Sequence, residues 1–219
     1  MAYQSANTPA IDAHWAGACR AQPGLFDGVV HFVQRIDRQD HTLTATAIPA
    51  RFATLHFWRE QGFPAMGALH LFGFALLVAR DGAVLMGQMS DKTANAGQVY
   101  CPGGVVDQGD VVDGQIDITG NVIRELAEET GLTPASASAT VDPRFIVVET
   151  DTALAIGHRI DLPWPAVEAR ARVLASAQAH GDGEIDDILI FRTPADAAGH
   201  RVNAYALHLL DWLLPEEVP

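Results

Sequence analysis

Three glutamates crowd onto one predicted helical face near the middle of the chain, and this cluster constrains the fold more than any other feature. Glu125, Glu128 and Glu129 stand at i, i+3 and i+4, so an α-helix brings all three carboxylates to one side. Like charges at this spacing cost roughly 0.2–0.5 kcal/mol per pair. A hard divalent cation reverses that cost, because Mg²⁺ and Mn²⁺ take carboxylate oxygens as ligands. The segment therefore predicts a metal-binding helix.

Local signals also place the two ends of this helix. Asp117 is a good N-cap residue, and Gly131 is suited to a left-handed C-terminal cap. The predicted helix runs over Ile118 to Thr130, after a loop from Val105 to Gly120.

Composition narrows the classes of function. The 219 residues carry a net charge of −13, which argues against a nucleic-acid binder, since such proteins present a basic face. A phosphorylated substrate stays compatible with this charge if a metal ion binds with it. Cys19 and Cys101 form no CxxC pair and are expected to be reduced. The absence of an apolar signal sequence or a long apolar run leads us to expect a cytoplasmic protein that does not enter a membrane.

The order of predicted elements indicates an α+β protein. We expect an N-terminal accessory module over residues 1–66, with a helix at Asp12 to Ala21, a hairpin of Val29 to Ile36 with Leu43 to Ile48, and a helical segment within 50–61. The main domain, residues 67–219, begins with a hairpin of Leu71 to Ala79 and Ala83 to Met89 around an Asp-Gly turn. Further strands are predicted at 145–149, 153–161 and 185–191, and helices at 165–180 and 202–214.

The segment from Gly103-Gly104 to Leu132 resembles the Nudix box, G-x5-E-x7-R-E-U-x-E-E-x-G-U, where U is aliphatic. Its second half, Arg124 to Leu132, matches at every specified position. The resemblance covers roughly Ala68 to Leu214. It implies a Nudix-type α/β/α sandwich with a mixed sheet, and Mg²⁺-dependent hydrolysis of a nucleoside diphosphate linked to another moiety, with Mn²⁺ as an alternative ion.

The first half of the box departs from the pattern. Six extra residues separate Gly104 from Arg124, and no glutamate occupies the first acidic position. Asp110 replaces that glutamate if one counts from the glycines, and Asp113, from the insertion, is the other candidate.

The resemblance also implies roles for the matching residues. Glu128 and Glu129 would be metal ligands, and Glu125 would be a third ligand or the group that deprotonates the attacking water. The backbone carbonyl of Gly104 would be a further ligand. Arg124 would orient a glutamate through a bidentate pair.

Four residues outside the matching half are candidates for substrate binding or for an additional acid. Glu184, in a glycine-rich loop, is the first choice for the acid, and Glu149 is the second; an exposed turn acid is the structural alternative. Arg159 is a candidate phosphate or base contact, and Tyr100 a candidate stacking residue; surface exposure and ordinary packing are their alternatives.

The substrate is left open at this point. Pro23 to Gly28, the following hairpin and the inserted box resemble Nudix UDP-sugar diphosphatases more weakly. We therefore expect a small nucleotide-conjugate substrate such as a nucleotide sugar, and a homodimer is compatible with the sequence. The alternatives are an enzyme for coenzyme A, ADP-ribose or dinucleotide polyphosphates, and a degenerate domain that binds a nucleotide as a sensor without turnover.

Overall fold

A computed structural model describes residues 1–93 and 95–215. In this part of the chain the helices are α1 (Ala2–Ala21), α2 (Phe52–Glu60), α3 (Ile118–Thr130), α4 (Ala166–His180) and α5 (Ala204–Leu213). The strands are β1 (Val29–Gln39), β2 (Thr42–Arg51), β3 (Leu69–Val78), β4 (Val84–Met89), β5 (Gln98–Tyr100), β6 (Val111–Val112), β7 (Gln115–Ile116), β8 (Thr140–Glu149), β9 (Ala153–Asp161), β10 (Ile185–Phe191) and β11 (Arg201–Val202).

Contacts between residues divide the chain into two compact units. The first contains Met1–Leu71, Val105–Ile116 and Asp151–Leu154, and the second contains Phe72–Gly104, Asp117–Thr150 and the residues from Ala155 onward. The separate roles expected for residues 1–66 and 67–219 stay a prediction.

The first unit is built around the long β1–β2 hairpin. The two strands pair antiparallel from Val29 opposite Arg51 to Gln39 opposite Thr42, with an irregularity after Val33. One face of the hairpin carries the core of this unit, where α2 packs; its buried members are Val30, Phe32, Ala50, Leu55 and Trp58. The predicted hairpin is confirmed and its strands are longer than expected.

Helix α1 begins ten residues before the predicted start at Asp12, at Ala2. The added turns contain Pro9 and mostly exposed residues, with Ile11 as the buried residue of the helix. No apolar period marks this segment, because part of its attachment is polar: Oε1 of Gln4 accepts from the N–H of Arg51 and from the hydroxyl of Thr54, each at 2.9 Å.

The second unit has a mixed sheet with helices on both faces. Strand β4 pairs antiparallel with β3, β5 and β10, whereas β5 pairs parallel with β11. Phe74 of β3 contacts the ring of Tyr205 in α5. Its neighbour Gly73 faces the other way, toward Asn121 and Val122 of α3. The α+β class and the mixed sheet between helical layers are therefore confirmed.

Among residues 1–93 and 95–215, no helix has both the length and the apolar character needed to cross a membrane.

A histidine in the first unit predicts how stability depends on pH. The ring of His70 lies beside the ring of Phe32, and its Nε2 is closed to solvent. The backbone N–H of His70 donates to the carbonyl of Thr152 at 2.9 Å. Burial, helped by the positive charge of Arg59, lowers the pKa of His70 to about 3. The pKa of His70 in the folded chain lies below its value in the unfolded chain, about 6.5. Its contribution to the free energy of unfolding is therefore fully present above pH 6.5 and is lost as the pH falls toward 3.

We expect His70→Gln to flatten the acid side of the stability profile. Above pH 6.5 the free energy of unfolding of the variant differs from that of the wild type by an amount that does not depend on pH. Between pH 6.5 and 4.5 the wild type loses up to about 1.4 kcal/mol per pH unit more than the variant. Urea denaturation at several pH values measures both slopes. Parallel slopes would show that His70 titrates normally in the folded chain.

Candidate metal-dependent active site

Helix α3 carries the glutamate cluster, and its ends lie at the predicted residues. Asp117 caps the first turn, since its Oδ1 accepts from the N–H of Gly120 at 2.9 Å. At the other end Gly131 has φ of 67°, a left-handed conformation that its missing Cβ makes inexpensive. Leu126 and Val122 point into the core, so the rotation of the helix is fixed by packing.

We expect Asp117→Ala to destabilise the second unit by about 1 kcal/mol, because one N–H of the first turn loses its acceptor. For a chain of this size, that corresponds to a melting temperature lower by roughly 2–4 °C. Asp117→Asn is the matched control, since its amide oxygen retains the cap. Thermal denaturation of the three proteins checks this, and equal melting of the alanine and asparagine variants would contradict it.

Glu129 is the most perturbed carboxylate of the cluster. Its side chain is only 4% exposed, and its Oε2 accepts from the N–H of Gly103 at 3.3 Å. Burial raises the pKa of Glu129 well above its usual value, and the nearby charges of Glu184, Glu125 and Asp182 raise it further. One backbone N–H does not balance this concentration of negative charge.

Arg124 contributes the positive charge on the exposed side of α3. Its Nη1 lies 2.8 Å from Oε1 of Glu125 and 2.9 Å from Oε2 of Glu128. One nitrogen therefore bridges two carboxylates, and the predicted bidentate pair with one glutamate stays a prediction.

Gly104 allows the carboxylate of Glu125 to lie against the backbone. A Cβ at position 104 would be 2.6 Å from Oε1 of Glu125 and closer still to the rest of the carboxyl group. The carbonyl of Gly104 accepts from the N–H of Gly73 at 3.0 Å, and a carbonyl oxygen has a second lone pair. Position 104 must therefore be glycine for the carboxylate of Glu125 to lie where it does. The role of the Gly104 carbonyl as a metal ligand stays a prediction.

The loop after α4 docks on the C-terminal turn of α3. The N–H of Asp182 donates to the carbonyl of Glu128 at 2.8 Å, and Gly181 packs against the carbonyl of Glu129, where no side chain fits. The N–H of Ser90 holds the loop from the other side through the carbonyl of Glu184, at 2.8 Å. The Asp182 N–H thus satisfies the carbonyl of Glu128, one of those that the end of a helix leaves unpaired.

The same loop brings two acids to the cluster. Partial burial raises the pKa of Glu184, and the charges of Asp182 and Glu128 raise it further. The structure therefore places the predicted Glu184 near the α3 glutamates, whereas Glu149 lies exposed at the end of β8. Asp182 was missed by sequence reasoning, although it lies in the same glycine-rich loop.

Two further predicted residues occupy different surroundings. Tyr100 is half-buried, and its hydroxyl accepts from Nδ2 of Asn95 at 2.9 Å. Arg159 pairs with Asp161 at 2.7 Å. Its neighbour His158 bonds Thr119 of α3 at 2.9 Å, so Arg159 points to the opposite face of the sheet. There it lines a 350 Å³ cleft with residues at the end of α5, and the structure does not bring it to the glutamates.

The six-residue insertion forms a small hairpin in the first unit. Strands β6 and β7 pair around Asp113 and Gly114, whose φ values of 51° and 77° suit a two-residue hairpin turn. Asp113 is an exposed turn residue. Asp110 is 6% exposed, and its Oδ2 accepts from the N–H of Asp107 at 3.0 Å. The Asp-Gly pair was a readable hairpin signal that the sequence analysis did not use.

The chemistry of the cluster fits a hard divalent cation. Five carboxylates influence one another, and Arg124 supplies the charge that balances two of them, Glu125 and Glu128. Oxygen ligands of this kind suit Mg²⁺ or Mn²⁺. In the described ranges 1–93 and 95–215, no three Asp, Glu, His or Cys side chains already surround a common point suited to an ion. The ion would be held by Glu125, Glu128 and Glu129 once the salt bridges of Arg124 to Glu125 and Glu128 have broken.

No protein-family model matches the chain, and no curated protein matches it either. Several solved structures similar to it are described as Nudix hydrolases or MutT proteins. The Nudix hydrolase RenU from M. smegmatis is 16% identical, with a TM-score of 0.44, over 68% of this chain and 90% of that one. An Ap4A hydrolase from C. elegans is 18% identical, with a TM-score of 0.43, over 65% and 93%. The MutT protein from Methanosarcina mazei Go1 is 18% identical, with a TM-score of 0.40, over 66% and 92%. Similarity at this level carries no argument about activity, which is inferred from the residues.

Proposed function

We propose that this protein is a Mg²⁺-dependent pyrophosphohydrolase that cleaves a nucleoside diphosphate linked to another moiety. The observation that carries the proposal is the buried carboxylate of Glu129, surrounded by further acids beside the Gly103-Gly104 backbone. Such a site is costly in a protein that binds no cation, because charges inside a protein must be paired. The segment from Arg124 to Leu132, which matches the second half of the Nudix box, contributes three of these acids.

The reaction requires charge neutralisation, because the phosphates beside the scissile bond repel an attacking water. A bound divalent ion neutralises that charge and lowers the pKa of water. Glu128 and Glu129 would hold the ion by their carboxylate oxygens. Glu184, in the loop that docks beside the α3 glutamates, would accept the proton of the attacking water at its carboxylate. Glu125 is the second group able to take that proton.

The substrate class is tested with a panel of nucleotide conjugates. UDP-glucose, ADP-ribose, coenzyme A and the dinucleotide Ap4A are incubated with the full chain and Mg²⁺, and the products are identified by ³¹P NMR. We expect a nucleoside monophosphate or its equivalent, and a second phosphorylated product, from at least one of them. Ap4A represents the dinucleotide polyphosphates that the sequence leaves open. The homodimer and the nucleotide-sugar substrate stay predictions.

A nucleotide-binding domain without turnover is the second candidate. The inserted first half of the box and the pairing of Arg124 with Glu125 and Glu128 are the observations in its favour. The panel separates the two: a folded protein that binds a nucleotide in the presence of Mg²⁺ and leaves every conjugate intact would support the binder and overturn the enzyme.

A further inference from the structure

A second cleft lies entirely within the first unit. It measures 460 Å³ and is lined by Phe52, by the segment 26–30 and by the loop 105–109. This volume is in the range of sites for small molecules. None of the residues that carry the proposed hydrolysis lines it.

Phe26 forms one wall and is unusually exposed for a side chain on an anchored backbone. The residue is 82% exposed, and its ring lies 3.2 Å from the position that a Cβ of Gly28 would take. On its C-terminal side, Asp27 accepts from the N–H of Ala53 at 2.9 Å. The carbonyl of Gly28 accepts from the N–H of Phe52 at 2.8 Å. The exposed ring beside the cleft thus offers apolar surface that a bound ligand would remove from water.

Phe52 forms the second aromatic wall. Its ring meets Trp15 edge to face, with centroids 5.9 Å apart and planes at 79°. The ring therefore has a fixed orientation before any ligand arrives, which reduces the entropy lost on binding.

The charge of the cleft is negative. Asp27 is balanced by Arg51, whose Nη2 lies 2.7 Å away. Asp107 has no such partner among residues 1–93 and 95–215: its Oδ1 accepts from the N–H of Gly109 at 2.6 Å, and no salt bridge reaches it. No Lys, Arg or His side chain lines the cleft in this part of the chain. The lining thus disfavours phosphate and attracts a cation, in a chain whose net charge is −13.

We propose that this cleft binds a small organic cation of the quaternary ammonium class, with its methyl groups over the ring of Phe26 and its charge balanced by Asp107. Aromatic faces attract such cations through the ring quadrupole, most strongly where the cation is also desolvated. The alternative ligand, a neutral nucleobase stacked on Phe26, makes no use of the charge of Asp107. This site is independent of the proposed hydrolysis, and each can fail without the other.

The test compares choline with 3,3-dimethylbutan-1-ol, which has the same shape and no charge. Binding to the full chain is measured by titration calorimetry and by the ¹H resonance of the ligand methyl groups. We expect choline to bind at least about tenfold more tightly, because one cation–aromatic contact and one counter-charge separate the two ligands. The choline methyl resonance moves upfield, since the protons lie over an aromatic face.

Three variants locate the effect. Phe26→Ala and Asp107→Asn each weaken choline binding about tenfold, whereas Phe145→Ala removes a ring that is 53% exposed in the second unit and changes nothing. Phe26 is exposed, so its removal leaves folding intact, and Asp107→Asn keeps the oxygen that accepts from Gly109. Equal binding of choline and its neutral analogue, no choline binding at millimolar concentration, or an unchanged affinity in Phe26→Ala overturns the proposal. So does adenosine binding more tightly than choline and equally well to Asp107→Asn.

Discussion

Glu129→Gln is expected to reduce hydrolysis of any accepted substrate by about a thousandfold or more, while leaving the protein folded. The substitution keeps the size of the side chain and removes the charge that faces Gly103 and the neighbouring acids. The loss follows because a neutral amide is a poor ligand for Mg²⁺ and offers no charge to hold it. Steady-state rates at saturating Mg²⁺ measure the effect.

The same variant is expected to melt at a higher temperature than the wild type in the absence of metal. The wild type buries a carboxylate that is repelled by Glu184, Glu125 and Asp182, and the glutamine relieves that repulsion. Added Mg²⁺ stabilises the wild type and does little for the variant. Glu168→Gln, on the exposed first turn of α4, is the matched control and leaves both activity and the Mg²⁺ response unchanged. Full activity in Glu129→Gln would show that the hydrolysis does not require the carboxylate of Glu129.

Gly104→Ala is expected to reduce activity about a hundredfold through displacement of a single carboxylate. The new Cβ would overlap the carboxyl group of Glu125, which must move by about an ångström, and misplacement of that size costs roughly this factor. The side chain of Glu125 is 13% exposed and paired with Arg124, so it has an exit toward solvent and the fold survives.

Two other glycines serve as controls for this variant. Gly24→Ala meets nothing within 4 Å and is expected to keep full activity. Gly103→Ala would press on the backbone at Gly73 and Phe74 (2.7 Å from the Cα of Phe74), so it is expected to destabilise the protein itself. Circular dichroism and rates on all three separate the effects. If Gly104→Ala retains wild-type rates, the position of Glu125 against the backbone has no part in the reaction.

The sequence predicted helix α3 to the residue because the signals that end a helix are local. Asp117 and Gly131 act on the backbone within one turn, and the apolar period of Val122 and Leu126 sets the buried face. Strand β10 was predicted as well as α3, since the short β-branched and aromatic segment Ile185 to Phe191 follows a glycine-rich loop. The α+β class followed from the order of such elements.

Features that depend on distant contacts were less accessible. The direction of Arg159 is set by the register of β9, which fixes His158 against α3 and turns Arg159 to the other face. The contribution of Asp182 depends on how the loop after α4 docks on Glu128, 54 positions earlier in the chain. Neither the direction of Arg159 nor the contribution of Asp182 can be predicted from the neighbouring residues in the sequence. The cleft beside Phe26 likewise requires three segments that are far apart in sequence.

Under the proposed function, the acids of α3 hold a divalent ion that the hydrolysis requires. A Mn²⁺ titration of the full chain, with bound Mn²⁺ followed by electron paramagnetic resonance and turnover measured in the same samples, tests it most directly. We expect turnover of the best panel substrate to rise in step with bound Mn²⁺, and Glu129→Gln to lose both together. Turnover that proceeds with no Mn²⁺ bound, or Mn²⁺ binding and turnover that persist in Glu129→Gln, would contradict it.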